Sequence, residues 1–496
     1  MVIVGARIGE VRMRLLMAVM LVGLSLPAVA EDCAQLKTMK GVTVAEVVNA
    51  GSFTPEGAKA IDGLPAFCRV AATLDPSGDS AIRVEVWLPL TGWNERFEGT
   101  GNGGLAGRIS YGGLVSGVKE GYAVANTDMG MGVPEGKDAG VFVGRPERWK
   151  DWGWRSTHAM TVFAKEVVKM FYGRVEKKDY FVGCSTGGEQ ALMEAQRFPD
   201  DYDGIVGGAP AHNRTGVHES ILWNFAAVEA PGAYLPAEKL KLLNDAVVKA
   251  CDLNDGVKDG LIGDPRRCGF DPGLLACQDG DGDRCLTAAQ VAAVKKIYAG
   301  PKDPRNGRQV YPGLERGSEF AWGSLGPKPP AGKAPYAPFF EWVFGADWNW
   351  KSFDYGKDVD VVQSKLATTL NATDPNLDTF LGKGHKLVLY HGWADQIVPP
   401  EETIAYFDAV RRRRSVDEGA RLFLLAGVQH CSGGPGPSGI DPLAAVVRWV
   451  ELGQPPSSLK ATGNGMTRMV CPYPVEAKFV GTGDAKDGPY ACSVRK

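Results

Sequence analysis

Gly183-Cys184-Ser185-Thr186-Gly187 constrains this chain more than any other stretch. The apolar run Tyr180-Phe181-Val182 leads into it and a helix-like segment, residues 188–198, leads out, so the order is strand, tight turn, helix. Small residues on either side of Ser185 let the backbone bend sharply and lift the hydroxyl clear of a sheet. Ser185 is the candidate nucleophile. In a chain with 64 glycines the G-x-S-x-G pattern alone is weak, and an ordinary Gly/Ser turn stays open until partners are found.

The surrounding pattern is that of an α/β protein. Residues 81–90, 122–126 and 180–183 have strand character, each followed by a Gly-rich or polar loop. Residues 158–171 form a helix-like segment between two of them, with Ala159, Val162, Phe163, Val167 and Phe171 on one face. Residues 204–208, 386–390 and 421–425 continue the strand-then-loop pattern, which predicts a largely parallel sheet covered on both faces. Residues 212–371 differ: they hold four cysteines, acidic Gly-rich loops, and Trp322, Phe339, Phe340, Trp342, Trp348 and Trp350 amid prolines. This predicts an inserted, disulfide-stapled lid domain. Its aromatics are expected to fill its own core before any of them contacts a substrate. The sheet domain is then expected in two parts, residues 31–211 and 372–496.

A serine hydroxyl needs a base to take its proton, and the base needs a carboxylate to fix its tautomer and stabilise its charge. His391-Gly392-Trp393-Ala394-Asp395 follows a strand and puts Asp395 in a loop at its end. The next strand runs into Gly427-Val428-Gln429-His430-Cys431, so His430 occupies the following loop. Of six histidines, His430 alone follows the final strand of the sheet. The order Ser185, Asp395, His430 is that of an α/β-hydrolase. An oxyanion hole needs two N–H donors. Thr186 supplies the first from its backbone, and residues 99–107 (Gly-Thr-Gly-Asn-Gly-Gly-Leu-Ala-Gly) offer the second, with Gly103 the candidate and Gly104 next to it.

Residues 7–30 have the pattern of a secretory leader: Arg7, Arg12 and Arg14, an apolar run over 15–26, then Pro27-Ala28-Val29-Ala30. Residues 1–30 are the expected leader, and translation from Met1 or Met13 both fit. The expected location is secreted or periplasmic. The formal charge of -3 gives no reason to expect nucleic acid or an anionic membrane as partner. The basic run Arg411 to Arg414 is expected to cap a helix that begins near Pro400. All ten cysteines lie beyond the leader, and an even number permits full pairing without fixing which pairs form. Cys184 precedes the candidate nucleophile and Cys431 follows the candidate base; if Ser185 and His430 touch, the two sulfurs are carried together. Buried free thiols are the alternative. No C-x-x-C occurs, which argues against a zinc ribbon.

Asp252, Asp255 and Asp259 are spaced so that a curled loop converges them on one ion, with the carbonyls of Val257 and Leu261 completing a shell of hard oxygens. Such ligands suit Ca2+, although the spacing departs from an EF-hand and a solvated Asx turn is the alternative.

The Cys-Ser, Asp and His-Cys segments together resemble the tannase and feruloyl esterase family, and the resemblance covers nearly all of the chain beyond the leader. It implies an α/β-hydrolase with a lid and a serine esterase mechanism on esters of aromatic or phenolic acids. It implies a structural Ca2+ in the lid beside Cys251. It also implies the pairs Cys184 with Cys431, Cys33 with Cys68, Cys251 with Cys268, Cys277 with Cys285, and Cys471 with Cys492. The family's terephthalate monoester hydrolase has Glu after its nucleophile where this chain has Thr186. That activity is one alternative; a calcium-dependent binding protein on an inactive hydrolase scaffold is another.

Overall fold

Nine strands form one sheet: β1 (Val42–Val48), β2 (Phe67–Leu74), β3 (Ile82–Pro89), β4 (Arg96–Thr100), β5 (Ala123–Thr127), β6 (Lys178–Cys184), β7 (Gly204–Gly208), β8 (Lys386–Gly392) and β9 (Ala420–Leu425). The computed structural model describes residues 32–55, 59–132, 141–278, 282–329, 333–481 and 485–494; the expected leader lies outside them. The spatial order is β1-β2-β3-β5-β4-β6-β7-β8-β9. From β5 through β9 every neighbouring pair is parallel. The β1–β2, β2–β3 and β3–β5 pairs are antiparallel, so the sheet opens with a meander that the sequence pattern did not show. This is the α/β-hydrolase arrangement.

The strands that carry the site are central. β5 and β7 are buried at every position, as expected of strands covered on both faces. Alternating residues serve the two faces. α1 (Tyr111–Lys119) packs Leu114 and Val118 with Val124 of β5, while Ile205, Leu387, Leu389 and Leu422 join the core beneath α2 (Ser156–Tyr172), α3 (Thr186–Arg197) and α4 (Pro400–Arg413). Val206, Val388 and Phe423 face the other way, against Val446 and Trp449 of α5 (Pro442–Leu452). The three arginines in the last turn of α4 complement the helix dipole there.

Between β7 and β8 the described residues add no strand to the sheet. Its helices there include Arg214–Val228, Ala237–Cys251, Ala288–Ala299 and Ala337–Phe344. The first three surround a separate core of Leu243, Val247, Leu286, Val294, Ile297 and Trp322. Phe339, Phe340 and Trp342 instead pack with Met129, Phe142 and Trp152 of the sheet domain, so the insertion is joined to the sheet by an aromatic seam. Four of the aromatics singled out in the sequence, Trp322, Phe339, Phe340 and Trp342, are thus core residues. Cys251–Cys268 and Cys277–Cys285 staple the insertion, Cys33–Cys68 ties the N-terminal segment to β2, and Cys471–Cys492 closes the C-terminal hairpins. No helix among the described residues is long and apolar enough to cross a membrane.

Glu98 on β4 is buried under Gly117 and Val124. Burial, and then the charge of Glu120, push its carboxyl up to about 8. The unfolded chain releases this proton near pH 4.3 and the folded chain keeps it, so stability falls as pH rises from there to about 8. Glu98→Gln is therefore expected to raise the melting temperature relative to the wild type more at pH 8 than at pH 5, which thermal unfolding at the two pH values will show.

Candidate active site

β6 ends at Cys184 and α3 begins at Thr186, leaving Ser185 alone in the turn with φ 64° and ψ −118°. A non-glycine residue held there costs on the order of 1–3 kcal/mol. Three backbone hydrogen bonds hold it. The Ser185 N–H donates to Gly208 O at 2.9 Å, and Ser185 O accepts from Glu189 N–H at 3.1 Å and Ala211 N–H at 3.0 Å. The glycines permit the packing around it. A Cβ at Gly183 would lie 2.4 Å from Gly187 O, and one at Gly101 would lie 2.4 Å from Gly187 Cα.

The structure brings Ser185, His430 and Asp395 into one hydrogen-bonded chain. Ser185 Oγ lies 2.7 Å from His430 Nε2, and His430 Nδ1 lies 2.7 Å from Asp395 Oδ2. With Nδ1–H donated to the carboxylate, Nε2 is left to accept the serine proton. Asp395 is fully buried and saturated with donors. Its Oδ1 accepts from the N–H groups of Ile397 at 2.8 Å and Val398 at 2.9 Å, and its Oδ2 accepts from His391 Nε2 at 3.1 Å as well as from His430. Burial alone would raise this carboxyl, but the charge of His430 and the hydrogen bonds from His391 and His430 outweigh it and hold Asp395 well below the usual carboxylate range. Cys184 and Cys431 are bonded, so the loops carrying Ser185 and His430 are joined covalently across 247 residues of sequence.

The Gly-rich loop after β4 lies against the start of α3. Gly187 N–H donates to Asn102 O at 2.8 Å, Thr186 Oγ1 donates to Gly104 O at 2.7 Å, and Asn102 N–H donates to Gln190 Oε1 at 2.8 Å. Gly103 therefore sits between two residues tied to the turn that bears Ser185 and Thr186. Gln190, Asn102, His391 and Gln396, whose Oε1 accepts the His430 N–H at 3.3 Å, all position this site. Of these, His391 alone carried a signal in sequence, four residues before Asp395.

A model of the family described as "Tannase and feruloyl esterase" matches residues 68–335 and 336–492. The chain belongs to this family. It is 34% identical to an uncharacterized esterase of Xanthomonas campestris pv. campestris, over 90% of this chain and 87% of that one. A probable feruloyl esterase B-2 of Aspergillus terreus is 33% identical, over 85% of this chain and 84% of its own. Among solved structures, feruloyl esterase B from Aspergillus oryzae superposes with a TM-score of 0.86 at 28% identity, covering 94% of this chain and 100% of that one. The tannin acyl hydrolase from Aspergillus niger, at 22% identity and a TM-score of 0.76, covers 95% of this chain and 94% of its own and shares the fold. This member of the family is a serine-type carboxylic ester hydrolase.

The esterase folds its acidic loop around backbone N–H groups. Asp252 Oδ1 accepts from Asp259 N–H at 3.1 Å and Gly260 N–H at 3.0 Å, Asp255 Oδ1 from Val257 N–H at 2.9 Å, and Asp259 Oδ1 from Leu261 N–H at 2.9 Å. Asp259 Oδ2 meets Arg468 at 2.6 Å. Burial, and then the charges of Asp259 and Asp252, push Asp255 up to about 6 despite the bond from Val257. Among the described residues, His158, Glu194 and Asp201 are the one group of three metal-ligating side chains within 4.8 Å of one another; Asp252, Asp255 and Asp259 are spread more widely. The three acids share one loop without being drawn in to the spacing of a closed shell.

The Cys184–Cys431 bond closes a long loop, and replacing both residues by Ala is expected to cost roughly 2–5 kcal/mol. Urea unfolding of this double variant beside the oxidised wild type measures it.

Proposed function

We propose that this esterase cleaves carboxylic esters of aromatic or phenolic acids through an acyl-enzyme formed on Ser185. The hydrogen-bonded chain from Ser185 Oγ through His430 to the buried Asp395 carries this reading. His430 Nε2 takes the serine proton as Oγ attacks the ester carbonyl carbon. The resulting imidazolium is stabilised by Asp395 and gives the proton to the departing alcohol. Water then enters, passes a proton to His430, attacks the acyl carbon and releases the acid with Ser185 restored. The backbone N–H groups of Thr186 and Gly103 are the proposed donors to the carbonyl oxygen as it becomes negative. The side chains of Thr186 and Gln190 hold the Gly-rich loop that presents Gly103.

The names of the relatives support the substrate class: one is a probable feruloyl esterase, one solved structure is feruloyl esterase B and another a tannin acyl hydrolase. The leader-like pattern of residues 1–30 and the five disulfides among the described residues support export to an oxidising compartment. We propose in addition that Asp252, Asp255 and Asp259, with the carbonyls of Val257 and Leu261, hold a structural Ca2+; three carboxylates on one short loop are the hard oxygen donors that such an ion takes.

Two measurements test these readings. Release of free acid from methyl ferulate, methyl gallate and a terephthalate monoester is expected for at least one of the first two and is expected to fall by at least about a thousandfold in Ser185→Ala. No turnover of any of the three by the oxidised protein would remove the aromatic esterase reading. For the cation, Ca2+ at a hundredfold excess over its dissociation constant is expected to stabilise the chelator-treated protein by about 2.7 kcal/mol. An unchanged melting temperature on adding Ca2+ would remove the site.

A further inference from the structure

His391 is a second histidine on Asp395, and the reaction sequence above leaves it without a part. It lies near the end of β8 and is fully buried. Its Nε2 is 3.1 Å from Asp395 Oδ2 and 2.8 Å from Val398 O. A carboxylate and a carbonyl only accept, so Nε2 carries a proton. Its Nδ1 is 2.9 Å from Thr403 Oγ1 on α4, whose hydroxyl donates to it. A neutral imidazole with its proton on Nε2 therefore satisfies both nitrogens, while a second proton would place a cation in the interior and take the acceptor away from Thr403.

The charged and titratable groups around His391 come from five elements. Asp395 lies on its own loop, with His430 across the carboxylate. His212, from the segment after β7, is held below the ordinary histidine range by burial, with Glu402 of α4 opposing this and His391 adding to it. Tyr311, from the insertion, is pushed well up by burial and then by Glu402 and Asp395. Of these groups, Asp395 is the one whose charge His391 meets by a hydrogen bond.

Both histidines donate to the same oxygen, Oδ2, while Oδ1 is held by two backbone N–H groups. A carboxylate oxygen shared between two donors offers less negative charge to each. We propose that His391 is a positioning residue for the ester hydrolysis: an Nε2–H donor that locks the Asp395 carboxylate and, by sharing Oδ2 with His430, sets how strongly His430 holds a proton. This inference rests on the acyl-transfer reading. Without His391, Asp395 would concentrate its charge on His430, the imidazolium would be over-stabilised, and the base would be protonated at a pH where it should be free.

The test compares wild type, His391→Phe and His391→Gln by pH profiles of kcat and kcat/KM on whichever ester the wild type hydrolyses. In His391→Phe, kcat is expected to fall about 10- to 100-fold, the range seen on losing an outer hydrogen-bond partner of a functional group, with KM nearly unchanged. The acid limb of kcat/KM is expected to move to higher pH, since the free enzyme's base then holds its proton more strongly. His391→Gln, whose amide N–H reaches the same place, is expected to restore most of kcat and the wild-type limb. An unmoved limb in His391→Phe, or a Gln variant no better than Phe, would overturn the proposal and leave the side chain as packing. If His391→Phe does not fold, nitrogen-15 NMR of the wild type decides: the Nε2–H tautomer throughout the folded pH range supports the proposal, and an imidazolium or an Nδ1–H tautomer overturns it. A wild type with no Ser185-dependent turnover would instead sink the acyl-transfer reading, and the NMR measurement would still report the state of His391.

Discussion

At Gly101 and Gly183, which both press against Gly187, three segments of backbone approach more closely than a side chain permits. That contact joins the end of β6, the first turn of α3 and the loop after β4 into one unit, and the left-handed conformation of Ser185 is sustained inside it. The strain at Ser185 costs on the order of 1–3 kcal/mol, a small sum against the packing of a central sheet buried on both faces. The same contact seats the Gly-rich loop over the serine, with Thr186 and Gln190 fastening it from below. A methyl group at Gly101 or Gly183 would push these parts apart.

The other half of the site combines the same device with hydrogen bonds. Asp395 and His430 lie in loops beyond β8 and β9 that also meet backbone to backbone: a Cβ at Gly392 would lie 2.2 Å from Val428 O, and one at Gly436 1.9 Å from Ala426 O. Hydrogen bonds then fix the carboxylate: both oxygens of Asp395 are met by donors, and burial makes rearrangement expensive because each broken bond would leave an unpaired group in a dry interior. The Cys184–Cys431 bond links this half to the first, so that the Ser185 to His430 contact does not depend on the sheet alone to keep its two sides in register.

Much of this was legible in the sequence, for reasons that can be named. A sharp turn between a strand and a helix demands small residues at fixed offsets, so residues 183–187 announced themselves, and apolar strands ending in polar loops marked where Asp395 and His430 had to fall. The meander of β1 and β2 went unread because polar residues interrupt both strands, Thr43 and Glu46 in β1 and Arg69 and Thr73 in β2; β1 buries only one of its seven residues. β4 was missed because Arg96, Glu98 and Thr100 hide a five-residue strand whose acid is buried uncharged. Gln190 and Asn102 left no trace, since their roles arise from a contact across 88 residues that no local pattern encodes. The lid aromatics were readable as a group but not by partner: whether Trp322 or Trp342 faces the insertion's own core or the seam to the sheet is settled only by folding.

The separation between Ser185 and His430 also gives the molecule a history. Ser185 lies 245 residues ahead of its partner, and His430 follows the last strand of the sheet. At synthesis rates of about 5–20 residues per second the turn bearing Ser185 is made tens of seconds before the histidine exists. During that interval the serine has no base beside it, and the Ser185 to His430 contact forms only once the sheet's final edge strand has docked.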